Sequence, residues 1–220
     1  KSKAGLYGDV IEEIDFNMGR IMKKLIDENL HKNTIVVFTS DNGPWLPYDT
    51  HGGSAGLLRE GKGTTWEGGQ RVPGLFWGGS VKPGTISDLG STLDIFPTFL
   101  DFAGIDNVND RIIDGISMKK TLTNHVSSQR KSILFYRQRE IYAVRLNDFK
   151  AHFITQGAYD YNGSNHYNAR GYVKRNEKKI LDKPLLYNLN DDPSEKFNIA
   201  NQYPEVIEKI KELIDDHNKN

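Results

Sequence analysis

Six consecutive β-branched or aromatic residues, Thr34-Ile-Val-Val-Phe-Thr39, constrain the fold of this chain more than any other feature. A run this apolar, with no polar alternation, reads as a strand buried on both faces, the mark of a parallel sheet covered by helices. The preceding stretch agrees. Over 7–29, Val10, Ile11, Ile14, Met18, Ile21, Met22, Leu25 and Ile26 recur at three- and four-residue spacing and give one apolar helical face. Asp9, Glu12 and Glu13 stand early and Lys23 and Lys24 late, as the helix dipole favours. Helix, short break, buried strand is half of an α/β repeat.

Downstream, 43–71 is rich in Gly and poor in periodicity, a length of loop that is usually functional or disordered. Val72–Trp77 reads as a second buried strand. Ser91 can cap a helix running to about Ala103 and ended by Gly104, with Pro97 imposing a kink or a late start. The stretch 106–130 is polar and irregular, a boundary between a 1–125 α/β region and a 126–220 subdomain. In the latter, Ser132–Arg137, Ile141–Leu146 and Lys150–Thr155 are close enough to pair as an antiparallel meander, and Leu185–Leu189 is a further strand-like run. A polar loop spans 156–183. Pro204 opens a final helix with Val206, Ile207, Ile210, Leu213 and Ile214 on one face.

Lys+Arg and Asp+Glu are 29 each, so no net field favours nucleic acid or an acidic membrane, and neither is an expected partner. No apolar run approaches the roughly 18 residues of a membrane helix. The absence of cysteine excludes disulfides, thiolate zinc sites and a cysteine nucleophile, and leaves the compartment open.

Three side chains are candidates to carry chemistry. Asp41 and Asn42 follow the 34–39 strand directly, and open α/β sheets bind ligands beyond the carboxyl ends of their strands. A carboxylate and a carboxamide oxygen suit a hard cation, Ca²⁺ or Mg²⁺, with further ligands supplied from elsewhere. Asp-Asn-Gly is equally the chemistry of a tight turn, although Pro44-Trp-Leu-Pro47 makes a poor second strand for a hairpin. Lys62 stands between Gly61 and Gly63, which let the backbone approach a ligand, and its ammonium can neutralise an oxyanion; a solvated surface lysine is the plain alternative. Glu67 and Arg71 read as an ion pair stapling the loop. His51 reads as a surface residue, His152 as structural within a strand, and His166 as part of the polar loop; none has a metal-binding partner at helical spacing.

In order along the chain, Ser40-Asp-Asn-Gly-Pro44, Gly52-Gly-Ser-Ala-Gly-Leu-Leu-Arg59, Gly61-Lys-Gly-Thr-Thr-Trp-Glu-Gly-Gly-Gln-Arg-Val-Pro73 and Ser91-Thr-Leu-Asp-Ile-Phe-Pro-Thr98 resemble the formylglycine-dependent sulfatases. Lys150-Ala-His-Phe-Ile-Thr-Gln-Gly157 and Leu185-Leu-Tyr-Asn-Leu-Asn-Asp-Asp-Pro-Ser-Glu195 extend the likeness, to the arylsulfatase A and N-acetylgalactosamine-6-sulfatase branch. The resemblance implies an α/β fold, part of an alkaline-phosphatase-like sandwich with a carboxyl-terminal antiparallel sheet and helix. It implies that Asp41 and Asn42 ligate Ca²⁺, that Lys62 contacts the sulfate and ester oxygen, and that the substrate is a sulfated small molecule or glycan. A secreted or periplasmic location is implied ahead of a lysosomal one.

The family's nucleophile, formylglycine made in a Cys/Ser-x-Pro-Ser-Arg motif, has no counterpart here. The chain contains no Cys, and Asp192-Pro-Ser194 lacks the arginine. The chain is therefore expected to be the carboxyl-terminal half of a sulfatase, inactive alone, with self-association through the Thr34–Thr39 sheet region. A phosphodiesterase or phosphomutase of the same superfold and a non-catalytic binding module are the rival readings.

Overall fold

The apolar stripe of 7–29 forms a single helix, α1 (Gly5–Asp27), in a computed structural model that describes residues 2–106, 110–158 and 177–219. Asn29 stops it in the left-handed region (φ 56°), while the Leu30 N–H donates to the Leu25 carbonyl. One 3₁₀ turn (His31–Asn33) leads into β1 (Ile35–Thr39).

β1 pairs with β2 (Gly74–Gly78), Val37 opposite Phe76, and the pairing is antiparallel rather than parallel. The connection explains the difference. Parallel neighbours need a crossover, normally a helix of about a dozen residues or more. Between β1 and β2 lie only a 3₁₀ segment (Leu46–His51) and the four-residue α2 (Glu67–Gln70), so the chain doubles back. The expectation of burial on both faces also fails within this chain. β1 is half-buried apart from the exposed Phe38, Leu75 of β2 is 59% exposed, and Leu6, Val10, Ile11 and Ile14 of α1 stand open.

The helix expected from Ser91 forms with a reciprocal cap. The Ser91 hydroxyl accepts from the Leu93 N–H, and the Asp94 carboxylate accepts from the Ser91 N–H. Its first turn is 3₁₀ (Thr92–Asp94), and α3 (Ile95–Ala103) begins late, so that Pro97 lies in the first α turn where its missing N–H leaves no gap. Gly104, at φ 69°, ends it. The stretch expected to be irregular contains one further helix, α4 (Lys119–Asn124).

The second region is a four-stranded antiparallel sheet in the order β3 (Ser132–Arg137), β4 (Glu140–Leu146), β5 (Phe149–Thr155), β6 (Lys179–Asn188). The meander is as expected, and β6 runs further toward its amino end than the run 185–189 indicated. Most of the expected 156–183 loop, with His166, lies outside the described residues.

Register assigns the two faces, because opposed residues share a side. Val144 opposes Ala151, which opposes Leu186, and this face packs on Ile207 and Ile210 of α5 (Pro204–Lys219) as the main apolar core. Arg145, Lys150 and Tyr187 form one row of the opposite face, Ala143, His152 and Leu185 the next. That second face is polar and faces the 59–71 loop.

A buried ion pair joins the two regions. Arg130, just before β3, reaches the fully buried Asp94, with Nε 2.8 Å from Oδ2 and Nη2 2.5 Å from Oδ1. The Ile116 N–H gives Oδ1 a further donor. No helix among the described residues is long and apolar enough to cross a membrane. Removing one member of a buried, hydrogen-bonded ion pair strands the other charge. Asp94→Ala is therefore expected to destabilise the protein by about 3–5 kcal/mol, read from the shift of its urea unfolding curve.

Candidate functional site

Asp41 and Asn42 leave the carboxyl end of β1 as a turn rather than a second strand, and the turn is held against the Gly-rich loop by backbone alone. The Gly43 N–H donates to the Gly69 carbonyl at 3.0 Å, and the Lys62 N–H to the Pro44 carbonyl at 2.8 Å. Side chains would prevent the approach. A Cβ on Gly43 would overlap the Gly68 carbonyl, and one on Gly61 would fall 2.5 Å from the Pro44 oxygen. Within the turn, the Ser40 hydroxyl donates to the Asn42 carbonyl.

Asp41 is exposed, Asn42 is half-buried, and Lys62 is exposed, its Nζ 5.9 Å from the centre of the Trp45 ring. The loop around Lys62 is bent sharply. Glu60 and Gly63 both adopt positive φ, 62° and 86°, a costly conformation for the glutamate that its surroundings must impose. The Thr64 hydroxyl donates to the Gly61 carbonyl and the Gln70 amide to the Thr64 carbonyl, closing the loop on itself. The three side chains singled out in the sequence thus lie on one pair of backbone-joined segments. Among the described residues no group of three or more His, Asp or Glu forms a metal cluster.

The loop rests on the polar face of the four-stranded sheet. Glu67 does pair with Arg71 (Nε to Oε2, 2.9 Å), and its other oxygen meets the Lys150 ammonium at 2.8 Å. Lys150 also lies 3.2 Å from Glu195, whose Oε1 is 2.7 Å from His152 Nε2. Lys150, His152 and Glu195 are fully buried. The second Glu195 oxygen accepts from the Glu67 N–H at 2.6 Å. Arg59 donates to the Glu195 carbonyl at 2.8 Å and lays its guanidinium 3.7 Å over the Trp66 ring, whose other contacts are a stack on His152 and an edge against Tyr187.

Burial pushes His152 down to about 4, against the opposing pull of Glu195, so the imidazole is neutral. A carboxylate only accepts, which places the ring proton on Nε2. Burial pushes the Glu195 carboxyl up, but the His152 hydrogen bond and the Lys150 charge outweigh it, and the group stays ionised below its ordinary range.

His152 lies buried within β5, its Nε2 on Glu195. His51 is exposed and outside this network. Lys150, Glu195, Arg59 and Trp66 carried no assignment from the sequence. A signal existed for one of them: in Phe149-Lys-Ala-His-Phe153, Lys150 alternates with His152 onto one face, opposite Phe, Ala and Phe.

Residues 2–105 match the Sulfatase family model and residues 128–220 the family described as the C-terminal region of aryl-sulfatase. Arylsulfatase A from Homo sapiens is 38% identical over 97% of the chain, and N-acetylgalactosamine-6-sulfatase from Mus musculus 34% identical over 99%. The chain spans only 43% and 44% of those two proteins. Among solved structures, the PsFucS1 sulfatase from Pseudoalteromonas sp. superposes with a TM-score of 0.82 at 27% identity, covering 95% of this chain and 41% of that one. A protein solved in complex with its substrate D-glucosamine-2-N,6-O-disulfate superposes at 0.58 with 25% identity, over 95% of this chain and 39% of its own.

The depressed His152 and Glu195 values fix the sign of an acid response. The unfolded chain takes up protons on His152 below 6.5 that the folded chain refuses until about 4, so stability is complete above that window and lost as pH falls through it. Glu195 adds to the loss below its ordinary range. The thermal midpoint is expected to fall between pH 6.5 and 4. His152→Phe, which retains a ring on Trp66, should start from a lower midpoint and decline less steeply across the window.

Proposed function

Because the chain belongs to the sulfatase family, we propose that it supplies one wall of a sulfuric-ester hydrolase site, with Asp41 and Asn42 as Ca²⁺ ligands and Lys62 as the cation that meets the ester. The observation that carries this is the backbone joint of Gly43 to Gly69 and of Lys62 to Pro44, which puts a hard-cation donor pair and an exposed ammonium on adjoining segments. The donor set fits the ion in part. An exposed carboxylate and a carboxamide offer oxygen, which Ca²⁺ prefers, and two side chains cannot fill its six to eight positions. Bound there, Ca²⁺ would hold sulfate oxygens and offset their charge.

The chain's own residues act by placement. Lys62 offsets negative charge on the sulfate and on the departing ester oxygen, preorganised electrostatics that cost no rearrangement during reaction. Gly61 and Gly63 allow that approach. The nucleophile lies outside these 220 residues, as formylglycine in the complete enzyme. Residues 1–125 carry part of the catalytic α/β domain and 126–220 form the subdomain that backs it. The substrate class is a sulfated carbohydrate, supported by the names and bound substrate of the relatives. A secreted or periplasmic location accompanies this assignment on the resemblance alone.

In the full-length enzyme, Lys62→Ala is expected to lower kcat by about a hundredfold or more, the scale for losing one such group. Asp41→Ala should raise the Ca²⁺ concentration needed for half-maximal activity. Near-normal turnover by the lysine variant would sink the assignment. The 220-residue chain by itself should not hydrolyse a sulfated chromogenic ester and should associate through the open apolar faces of α1 and β1–β2. Turnover by the isolated chain, or a clean monomer in light scattering, would count against the corresponding half of that expectation.

A further inference from the structure

We propose that Glu195 is a positioning residue for Lys62, clamping both ends of the loop that carries it. This rests on the assignment of Lys62 above. The amino end of the loop is held at Arg59, whose guanidinium donates to the Glu195 carbonyl. The carboxyl end is held at Glu67, whose N–H donates to a Glu195 carboxylate oxygen. These two anchors are closed on each other by the Gly68 N–H, which donates to the Arg59 carbonyl at 2.8 Å. Between them, Glu60 is kept at positive φ while its carboxylate accepts from the Ala158 N–H, three residues beyond β5.

Glu195 is itself over-determined. It adopts φ 52°, and its N–H donates to the Asp192 carbonyl, while the Asp192 carboxylate caps the Lys196 and Phe197 N–H groups. His152 and Lys150 hold its side chain from the sheet. A non-glycine residue in that region persists only where several contacts fix it. The consequence runs in one direction: the sheet fixes Glu195, Glu195 fixes both ends of the loop, and α2 passes the position on through Gly69 to the turn after Asn42. A misplacement of about 1 Å at a charge-stabilising group costs on the order of a hundredfold in rate, so a clamp this far from the ester affects turnover.

The test is a double-mutant cycle in the full-length enzyme. Glu195→Gln keeps the size and an oxygen for the Glu67 N–H but removes the charge that binds Lys150 and His152. It is expected to lower kcat about tenfold to a hundredfold in the wild-type background. Combined with Lys62→Ala it should lower kcat no further, because the group being positioned is gone. Arg59→Met, which cuts the other anchor while leaving the buried ions intact, should behave in the same way. It decides the matter if Glu195→Gln fails to fold. Losses that multiply in the Lys62→Ala background mean a general structural role and overturn the positioning role alone. A Lys62→Ala enzyme with near-normal turnover overturns the prior assignment instead.

Discussion

The fold of this chain around its candidate site depends on a buried group of ions, Glu67, Lys150, Glu195 and neutral His152, between a loop and a sheet face. Buried charges are stable only when paired, since desolvation costs each of them several kcal/mol. Here each ion has an opposite partner within 3.2 Å, and the fourth member is a ring kept uncharged by its surroundings. Such a group adds little net stability compared with apolar packing. It does exclude alternative placements, because sliding the loop along the sheet would strand at least one charge. The polar face of the sheet is therefore where a flexible Gly-rich loop acquires one geometry.

The two faces of the sheet divide the labour. The α5 side is ordinary hydrophobic packing, with Val144, Ala151, Leu186, Ile207 and Ile210 out of water. The loop side is aromatic and ionic, with Trp66 between Arg59, His152 and Tyr187. The first supplies stability without direction, the second supplies direction. The Asp94–Arg130 pair does similar work at a second crossing between the regions.

Periodicity in the sequence located α1, β1, β2, α3, the β3–β5 meander and α5, because each has a continuous apolar face that local spacing reveals. Three things escaped it. α4 is short and polar; β6 begins in a charged stretch, Lys179-Ile-Leu-Asp-Lys183, that does not alternate cleanly; and the antiparallel pairing of β1 with β2 depends on how the 40–73 segment returns. Motif order singled out Asp41, Asn42 and Lys62 as candidates, and the joint between their two segments runs through backbone atoms that no motif displays. The clamp was not legible. Glu67 and Glu195 are 128 residues apart, and Arg59 and Glu195 136, distances over which no local pattern constrains a pair. An alternating Lys150 and His152 on one strand face was the single visible trace of it.

The glycine joint between the turn after Asn42 and α2 has a consequence for how such a site diversifies. Gly43 and Gly68 meet main chain to main chain, with no room for a Cβ, so the joint offers substitution nothing to act on. The seam cannot be adjusted in small side-chain steps. Side-chain freedom is found instead on the neighbouring segment, at the exposed Trp45, Tyr48, His51 and Leu57. The seam and the neighbouring segment thus differ in kind: main chain meets main chain in the one, and large side chains stand open to solvent in the other.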